Sequence, residues 1–441
     1  MKKHLRFPGP VGWFLVILIF AICLTGAYSL PVDSCPDERG RLYLTDYITK
    51  TWKLPTGTEP ETMLDLWHFS YGLFPYLSSM VGAFFAKVFG RFIPIPEAYI
   101  IGSRMCSVLS ITGCFLFSLL LGGELFSSRS SAILYAVILC FTPQVLFLGM
   151  CQNNDALSLF AVSVILYFLV RGRREHWNVK NCVYLAAGIS VCLLSYYSVY
   201  PWILFAVVFC CVSCILDDTI QHKGSFILKR SGLIFTVVLA LAGWFFIRNA
   251  VIHNGDFLGL ATKESMKAQA LAEGAVLPNR IKRDLGYSFK DFFADADCDW
   301  LRFTLLSLVG RFGYMNIPMP LMRTHFYFLI LLAGIVGYCV SVRRKKPDTE
   351  GSLVFLMMLL SSLSVIALSL YYSYCVDYQP QGRYVITVLF LLSYMLTHAA
   401  NGASLFTFKR TGRTIRVADV LSAVWIFLAL KTAFDTMSKM V

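Results

Sequence analysis

The stretch VGWFLVILIFAICLTGAYSL, residues 11–30, carries no charged side chain and is long enough to cross a lipid bilayer as one helix. It follows basic residues at Lys2 and Lys3, a flank typical of the cytoplasmic end of a membrane helix. No small-residue cleavage site closes the stretch, so we expect an uncleaved first membrane helix whose N-terminus is cytoplasmic.

The same apolar pattern recurs along the chain. Of 441 residues, 57% are hydrophobic and 15% are charged, whereas soluble domains are about 45–50% apolar and about 25% charged. One water-soluble core cannot bury that excess, whereas lipid can. The apolar runs predict helices at about 11–30, 72–91, 99–122, 131–150, 156–170, 182–199, 200–216, 231–247, 325–341, 352–372, 384–400 and 417–435. The predicted fold class is all-α, a polytopic transmembrane helical bundle that forms a single integral membrane domain, 1–441.

The net charge of +13 is divided among short basic tracts between the apolar runs, so no nucleic-acid partner is expected. Such tracts hold loops in the cytoplasm. The rule places inside the segments 171–181, 217–230, 343–351 and 405–416. It places outside a first outer loop, 31–71, and a large outer loop, 248–324. Both outer loops mix charged with aromatic residues, which predicts amphipathic helices on the outer membrane surface.

The number of crossings has to agree with these assignments. Three apolar runs lie between the outer segments 31–71 and 152–155, although a chain that returns to one side crosses an even number of times. We therefore predict that 72–91, which contains Pro75, is not a full crossing. About 11 crossings remain, within a range of about 10–13, and the C-terminus is outside. The broken stretch 303–318 is predicted to re-enter or to lie at the interface.

Most of the 14 cysteines lie inside apolar runs and are expected to pack as small hydrophobic side chains. No C-x-x-C pair recurs at zinc spacing. Cys35, Cys298 and Cys375 fall in predicted outer loops, where one disulfide among them is an open alternative.

Acidic residues follow two of the predicted helix ends on the outer side. Asp37 and Glu38 come just after the first helix, where two adjacent acids can act as a base or ligate a divalent metal ion. The structural alternative is the solvated start of a loop. Asn154 and Asp155 precede the run 156–170, where the alternative to a functional role is a helix N-cap.

Two arginines lie at outer ends of predicted helices, against the positive-inside rule. Arg248 ends one helix and Arg383 opens another, and both are candidates to hold a phosphate at the headgroup level. The alternative for Arg248 is a side chain that extends to the interface. Gly382 would allow close approach of another group. A further cluster, Arg311–Tyr314, fits structural and functional interpretations equally.

The ordered set of polar motifs resembles the GT-C superfamily of membrane glycosyltransferases, and within it a bacterial polytopic membrane family long labelled as of unknown function. The residues that carry the resemblance are Pro36-Asp37-Glu38, His68 ahead of Pro75-Tyr76, Arg104, Asn153-Asn154-Asp155, Trp244 with Arg248-Asn249, Gly255-Asp256 with Gly259, Phe312-Gly313, and Gln381-Gly382-Arg383-Tyr384.

The resemblance implies a transferase that uses a polyprenyl-phosphate-linked sugar donor on the outer face. Asp37 would act as base or, with Glu38, hold a metal ion, and Asp155 would be the second acid. Arg248 or Arg383 would bind the lipid phosphate. Supporting roles would fall on Asn154, Asn249, Asp256, Gln381 and Tyr384.

The chain departs from this family at three places. The family often has a His shortly after Pro-Asp-Glu, in a segment that here reads Arg39-Gly40-Arg41-Leu42. Arg311 stands where the family often has an apolar or small residue, and Phe257 follows Gly-Asp where Pro is usual. These departures bear on the metal role and the acceptor, and not on the fold.

The expected function is transfer of a sugar to a cell-envelope glycan, lipid or protein acceptor, in a bacterial plasma membrane. The alternatives are a transporter or flippase of lipid-linked saccharides and a non-catalytic assembly partner. A transporter should carry ionisable residues at mid-helix, whereas here the charges crowd one face. The adjacent acids Asp37 and Glu38 argue against a non-catalytic role. No P-loop, G-x-S-x-G or H-E-x-x-H motif occurs, which excludes enzymes that depend on them.

The basic tracts predict the topology directly. A reporter fused after Arg174 or Lys346 should be cytoplasmic, and one inserted near Asp256 or Gln379 should be external. Cysteine labelling of intact cells at the same positions checks the assignment. A cytoplasmic signal at Asp256 would contradict a site confined to the outer face.

Overall fold

The computed structural model of the chain describes residues 8–278, 280–294, 298–407 and 414–440. The predicted basic tracts at 2–6 and 409–413 lie outside these residues. Almost all regular structure within them is helical, as the apolar runs predict, and the two β-hairpins are short.

The helices are α1 (Pro10–Ser29), α2 (Glu38–Thr51), α3 (Leu77–Phe92), α4 (Ala98–Leu125), α5 (Arg129–Cys140), α6 (Pro143–Met150), α7 (Asp155–Arg174), α8 (Val179–Leu193), α9 (Tyr200–Ile215), α10 (Lys223–Ile252), α11 (Leu260–Ala272), α12 (Asp291–Ala294), α13 (Trp300–Gly310), α14 (Leu321–Arg344), α15 (Thr349–Cys375), α16 (Leu389–Ala400) and α17 (Val417–Met440). Short 3₁₀ turns occur at Pro60–Thr62, Tyr71–Leu73, Tyr197–Val199 and Gly382–Val388. The antiparallel hairpins are β1 (Arg311–Phe312) with β2 (Ile317–Pro318), and β3 (Ser404–Thr407) with β4 (Thr414–Arg416).

In the described ranges, nine helices are long and apolar enough to cross a membrane, or ten with the bent pair α5 and α6. The bend of 63° falls at Pro143, because proline lacks the N–H that would continue α5. The shorter α8 lies alongside α7 and connects the same two levels. Its N-terminal residue Asn181 reaches Arg171, and Ser195 beyond its C-terminus contacts Asn154. These helices confirm the polytopic all-α prediction, and the nine or ten candidate spans among the described residues are close to the predicted 11 crossings.

Helix α3 has 16 residues and packs back against the first turns of α4. Gly82 faces the carbonyl of Ser103, and Gly102 faces the backbone of Ala86, so the two backbones approach closely. Helix α4 has 28 residues and is about 42 Å long, which exceeds the roughly 30 Å of a hydrocarbon core. At 16 residues, α3 is shorter than the roughly 20 residues that a full crossing needs, which agrees with treating 72–91 as a partial crossing.

Helices α4 and α7 form the centre of the bundle. In their most apolar windows, 67% and 78% of the residues are buried, compared with 11% in α10. Peripheral α10 exposes Leu228, Phe235 and Val251, as expected for side chains that face lipid. One end of the central pair is linked by Arg174, which bonds to Glu124 and Glu350. The candidate site lies at the other end.

The two predicted outer loops contain the expected short helices. The first holds α2, whose buried residues Glu38, Arg41, Thr45 and Ile48 follow helical spacing on one face. The second holds α11, α12 and α13, and the broken stretch predicted at 303–318 is the end of α13 followed by the β1–β2 hairpin. Gly382 packs against the backbone of Leu308, where an added Cβ would lie 2.1 Å from the amide nitrogen, so the close approach expected at this glycine is observed.

Candidate active site

A buried ion pair lies where α1 ends and α2 begins. The Glu38 carboxylate and the Arg104 guanidinium have fully buried side chains. Arg104 donates to Glu38 through Nε at 2.8 Å and Nη2 at 3.0 Å. Its remaining N–H groups donate to the carbonyl oxygens of Ala27, Leu30 and Pro31 at 2.7 to 2.9 Å. The pair therefore fixes the direction in which the chain leaves α1.

Both oxygens of the Glu38 carboxylate already accept two hydrogen bonds each. Beside the two bonds from Arg104, its oxygens accept from the backbone N–H groups of Gln152 at 2.9 Å and Asp33 at 3.0 Å. A metal ion at Asp37 and Glu38 would have to displace these bonds, so the residues do not fit the predicted metal site. Among the described residues, no group of three or more His, Cys, Asp and Glu side chains is placed to hold a metal ion.

A disulfide joins the two acidic motifs. Cys35 is bonded to Cys151, two residues before Asp37 and four before Asp155. The expectation of a pairing among Cys35, Cys298 and Cys375 is wrong. The partner was missed because Cys151 directly follows the apolar run that ends at 150 and resembles a membrane cysteine.

The site is centred on Arg383, which lies between two carboxylates. Its Nη2 atom is 2.6 Å from Asp37 Oδ2, and its Nη1 atom is 3.8 Å from Asp155 Oδ2. Its Nε atom donates to Gln381 at 2.7 Å, and Nη2 donates to the hydroxyl of Tyr384 at 2.9 Å. Five predicted site residues, which are far apart in sequence, are thus brought together.

Asp37 begins α2 in the left-handed conformation, with φ of 69°, and its side chain is a quarter exposed. Tyr71 donates a hydrogen bond of 2.8 Å to Oδ1. Burial raises the pKa of Asp37, but the charges of Arg383 and Arg41 and the bond from Tyr71 outweigh it, so the pKa lies below the usual range. Desolvation alone would raise this pKa, and the two guanidinium groups reverse the direction of the shift.

Arg41 also belongs to this site, although it was not among the predicted site residues. It lies one helical turn after Glu38 on the same face of α2 and is 5% exposed. Its Cζ atom lies 4.8 Å from the ring centre of Tyr71 and 5.9 Å from that of Tyr196. The sequence signal was the departure from the family at 39–42, where arginine stands in a segment that often carries histidine.

Asn154 holds the start of α7 against neighbouring segments. Its Nδ2 donates to the carbonyls of Pro75 at 3.1 Å and Ser195 at 2.8 Å, and its Oδ1 accepts from Ser78. The helix-capping alternative applies to Asn153, whose Oδ1 accepts from the N–H of Ala156 at 2.9 Å. Asn154 therefore positions Asp155.

The motifs at Arg248, Asn249 and Asp256 lie away from Arg383 and connect the two outer loops. Arg248 donates to the carbonyls of Leu54 at 2.8 Å and Pro55 at 2.9 Å, and Asn249 donates to that of Leu73 at 2.9 Å. Asp256 accepts from the backbone and hydroxyl of Thr262. These contacts favour structural roles, and the geometry does not support Arg248 as the phosphate ligand.

Beside the Asp37–Arg383 pair lies a small cleft between α6, the end of α13 and the β1–β2 hairpin. Its polar lining includes Gln144, Asn153, Arg311, Gln381 and Arg383. The backbone N–H of Arg311 donates to Gln144 at 3.0 Å, which ties the hairpin to α6.

Solved structures of other proteins share this fold. The chain is similar to ArnT from Cupriavidus metallidurans in the apo state, with 14% identity, a TM-score of 0.53 and coverage of 89% of this chain and 61% of that one. It is also similar to the archaeal oligosaccharyltransferase AglB from Archaeoglobus fulgidus in complex with an inhibitory peptide and a dolichol-phosphate, with 11% identity, a TM-score of 0.54 and coverage of 98% and 56%. The chain thus spans little more than half the length of these proteins, and the likeness concerns the fold.

Residues 55–392 match the family of predicted membrane proteins DUF2142, and the chain belongs to that family. No curated protein sequence matches it.

The Glu38–Arg104 pair predicts a large effect on stability. Glu38→Gln leaves the Arg104 charge buried without its counter-ion and should lower the free energy of unfolding by about 3–5 kcal/mol. Denaturation of the purified protein in detergent measures the change. Lys50→Gln, which removes the exposed pair with Asp46 on the same helix, should change it by no more than about 1 kcal/mol. Equal stability of the two variants would show that the pair does not hold the outer end of α1.

Proposed function

We propose that this chain is a glycosyltransferase that moves a sugar from a polyprenyl-phosphate-linked donor to an acceptor hydroxyl on the outer face of a membrane. The observation that carries the proposal is the Asp37–Arg383–Asp155 cluster, in which two acids from different motifs share one buried guanidinium. The GT-C fold of ArnT and AglB supports it, as does the presence of a dolichol-phosphate in the AglB complex.

In this mechanism, Asp37 accepts the proton of the acceptor hydroxyl. The acceptor oxygen forms a bond to the anomeric carbon of the sugar, and the bond between that carbon and the phosphate oxygen breaks. Tyr71 and Arg383 fix the orientation of the carboxylate and keep it ionised, so it is ready to accept a proton at neutral pH. Burial and the charge of Asp37 raise the pKa of Tyr71 well above its usual value, so Tyr71 stays a hydrogen-bond donor.

Asp155 has a positioning role in this scheme. It is 3.8 Å from Arg383 Nη1 and balances the second half of the guanidinium charge, while Gln381 holds Nε. Without Asp155, the guanidinium would bind Asp37 more tightly and weaken it further as a base. Tyr384 accepts from Arg383 and stacks on Tyr196, with ring centres 6.2 Å apart.

The outer loops, 31–71 and 248–324, form one layer beside the site. Gly259 lies against the carbonyl of Leu73, and Lys263 on α11 lies 5.1 Å above the ring of Phe69. We assign this layer and the cleft at Arg311 to recognition of a glycan, lipid or protein acceptor. The disulfide Cys35–Cys151 is consistent with an oxidising compartment, which fits the outer face of a bacterial plasma membrane with the N-terminus in the cytoplasm.

Replacing the two acids distinguishes their roles. Asp37→Asn keeps the size of the side chain but cannot accept a proton, so turnover should fall by about 10²–10⁴ while the protein still folds. Asp155→Asn should lower turnover less. It should also shift the acid limb of the pH profile, because Arg383 then faces only one carboxylate, that of Asp37. Activity measured on purified protein with a polyprenyl-phosphate sugar, from pH 3 to 8, tests both.

The sign of the pH effect follows from the lowered pKa of Asp37. The carboxylate is ionised above its pKa, so activity limited by this group should hold at neutral pH and be lost only as the pH falls below the range in which an ordinary aspartate titrates. Asp218→Asn, on a fully exposed residue of the segment predicted to be cytoplasmic, is the matched control and should leave activity unchanged. Near-full activity of Asp37→Asn together with an inactive Asp155→Asn would place the base at Asp155 instead.

A further inference from the structure

Three buried arginines lie at the outer end of the bundle, and they differ in how fully their donors are used. The N–H groups of Arg104 all have acceptors in the polypeptide. Arg383 donates through all three nitrogens. Arg41 is different, because its buried Nε has no hydrogen-bond partner, and no carboxylate lies within ion-pair distance in the part of the chain that the structure describes.

A buried charge is normally paired, because removing it from water is costly. The two carboxylates close enough to influence Arg41, those of Asp37 and Asp155, both face Arg383 instead. The rings of Tyr71 and Tyr196 lie against the guanidinium and compensate only part of the cost. The two rings also fix the orientation of the Arg41 guanidinium plane. The Nε donor of Arg41 therefore lacks an acceptor, and the Arg41 donors define where an anion would bind.

We propose that Arg41 binds the phosphate of the donor, and that the donor carries a single phosphate instead of a diphosphate; this inference rests on the proposed function. The four charged groups Asp37, Asp155, Arg41 and Arg383 sum to zero, with one guanidinium unpaired. A sugar phosphodiester brings one negative charge, which one free guanidinium matches in a bidentate manner. A diphosphate diester brings two, and the second has no free partner in this group.

Other cations near this group are already engaged, and Arg311 in the cleft donates to the carbonyl of Met315 at 2.6 Å. Lys263 and Lys267 lie over Phe69 and are 3.8 and 3.3 Å from the carboxylate of Glu264. Burial and the neighbouring Lys267 lower the pKa of Lys263 to about 8, which weakens it as a permanent counter-charge. Arg41 thus remains the group to which a phosphate at this site would bind.

The test measures binding to the purified full-length protein in detergent with probes that lack a sugar. Polyprenyl methyl phosphate carries one negative charge and polyprenyl methyl diphosphate carries two. Phosphatidylglycerol and inorganic phosphate separate a donor site from a general lipid-headgroup or free-phosphate site. The variants are Arg41→Met, which keeps the packing between the rings, Arg41→Lys, and the control Arg39→Met, whose side chain is 65% exposed on the same helix.

The wild-type protein should bind polyprenyl methyl phosphate at least about ten-fold more tightly than the three other probes. Arg41→Met should weaken this binding by about ten- to a hundred-fold, Arg41→Lys should weaken it less, and Arg39→Met should not change it. Without ligand, Arg41→Met should be at least as thermostable as the wild type, because it removes an unpaired buried charge, whereas loss of a structural arginine would lower the melting temperature.

Unchanged binding in Arg41→Met, a lower melting temperature of that variant without ligand, or equal binding of the diphosphate or of phosphatidylglycerol would overturn the assignment while leaving the proposed transferase function intact. A wild-type protein that binds neither polyprenyl probe would instead contradict the proposed function.

Discussion

The buried Glu38–Arg104 pair is the interaction on which the candidate-site end of this protein depends. Two charges are removed from water, and the cost is offset only because their donors and acceptors are satisfied. The carbonyls that accept from Arg104 belong to the end of α1 and the two residues after it, so the pair fixes the exit of the chain from the first helix. Since Asp37 directly precedes Glu38, the Glu38–Arg104 pair also fixes the position of Asp37.

The same pair sets the distance between the two acidic motifs. Glu38 accepts from the N–H of Gln152, and the disulfide Cys35–Cys151 joins the same two segments on the other side. Asp37 and Asp155 are therefore held on one side of the bundle, where a single guanidinium, Arg383, reaches both. Two fixed carboxylates around one cation form a site whose charges are arranged before any substrate arrives, as electrostatic catalysis requires.

The sequence predicted the helices well because an apolar run of about twenty residues has few alternatives to a membrane helix. It also predicted that the polar residues at the outer helix ends would be important, and Asp37, Asp155, Gln381, Arg383 and Tyr384 do meet. The pattern could not show which partners each residue finds. That information depends on contacts across 100 or more residues, such as Glu38 with Gln152.

The differences between the sequence pattern and the observed contacts have particular physical reasons. Arg248 violates the positive-inside rule, and this was taken as a sign of a phosphate ligand. In the structure, backbone carbonyls of the first outer loop accept the hydrogen bonds of the Arg248 guanidinium. A sequence pattern contains no signal for a bond to a backbone carbonyl. Arg41 was missed for the complementary reason, since an arginine in an amphipathic loop helix is expected to face water. Only the packing of α2 against Tyr71 and Tyr196 shows that it is buried.

The roles of the arginines are distinguished better by how many of their N–H donors have acceptors than by their positions in the sequence. Arg104 and Arg248 donate to carboxylate or carbonyl groups that belong to the fold, so removing either would loosen the attachment of one segment to another. Arg383 donates to the carbonyl of Pro36 and to the carboxylate of Asp37, and its charge favours the ionised form of Asp37. Arg41 has contacts that hold it in place but do not neutralise it. A buried cation without a partner does not stabilise the fold, so we propose that the arginines differ in role, from the scaffold at Arg104 to the phosphate ligand at Arg41.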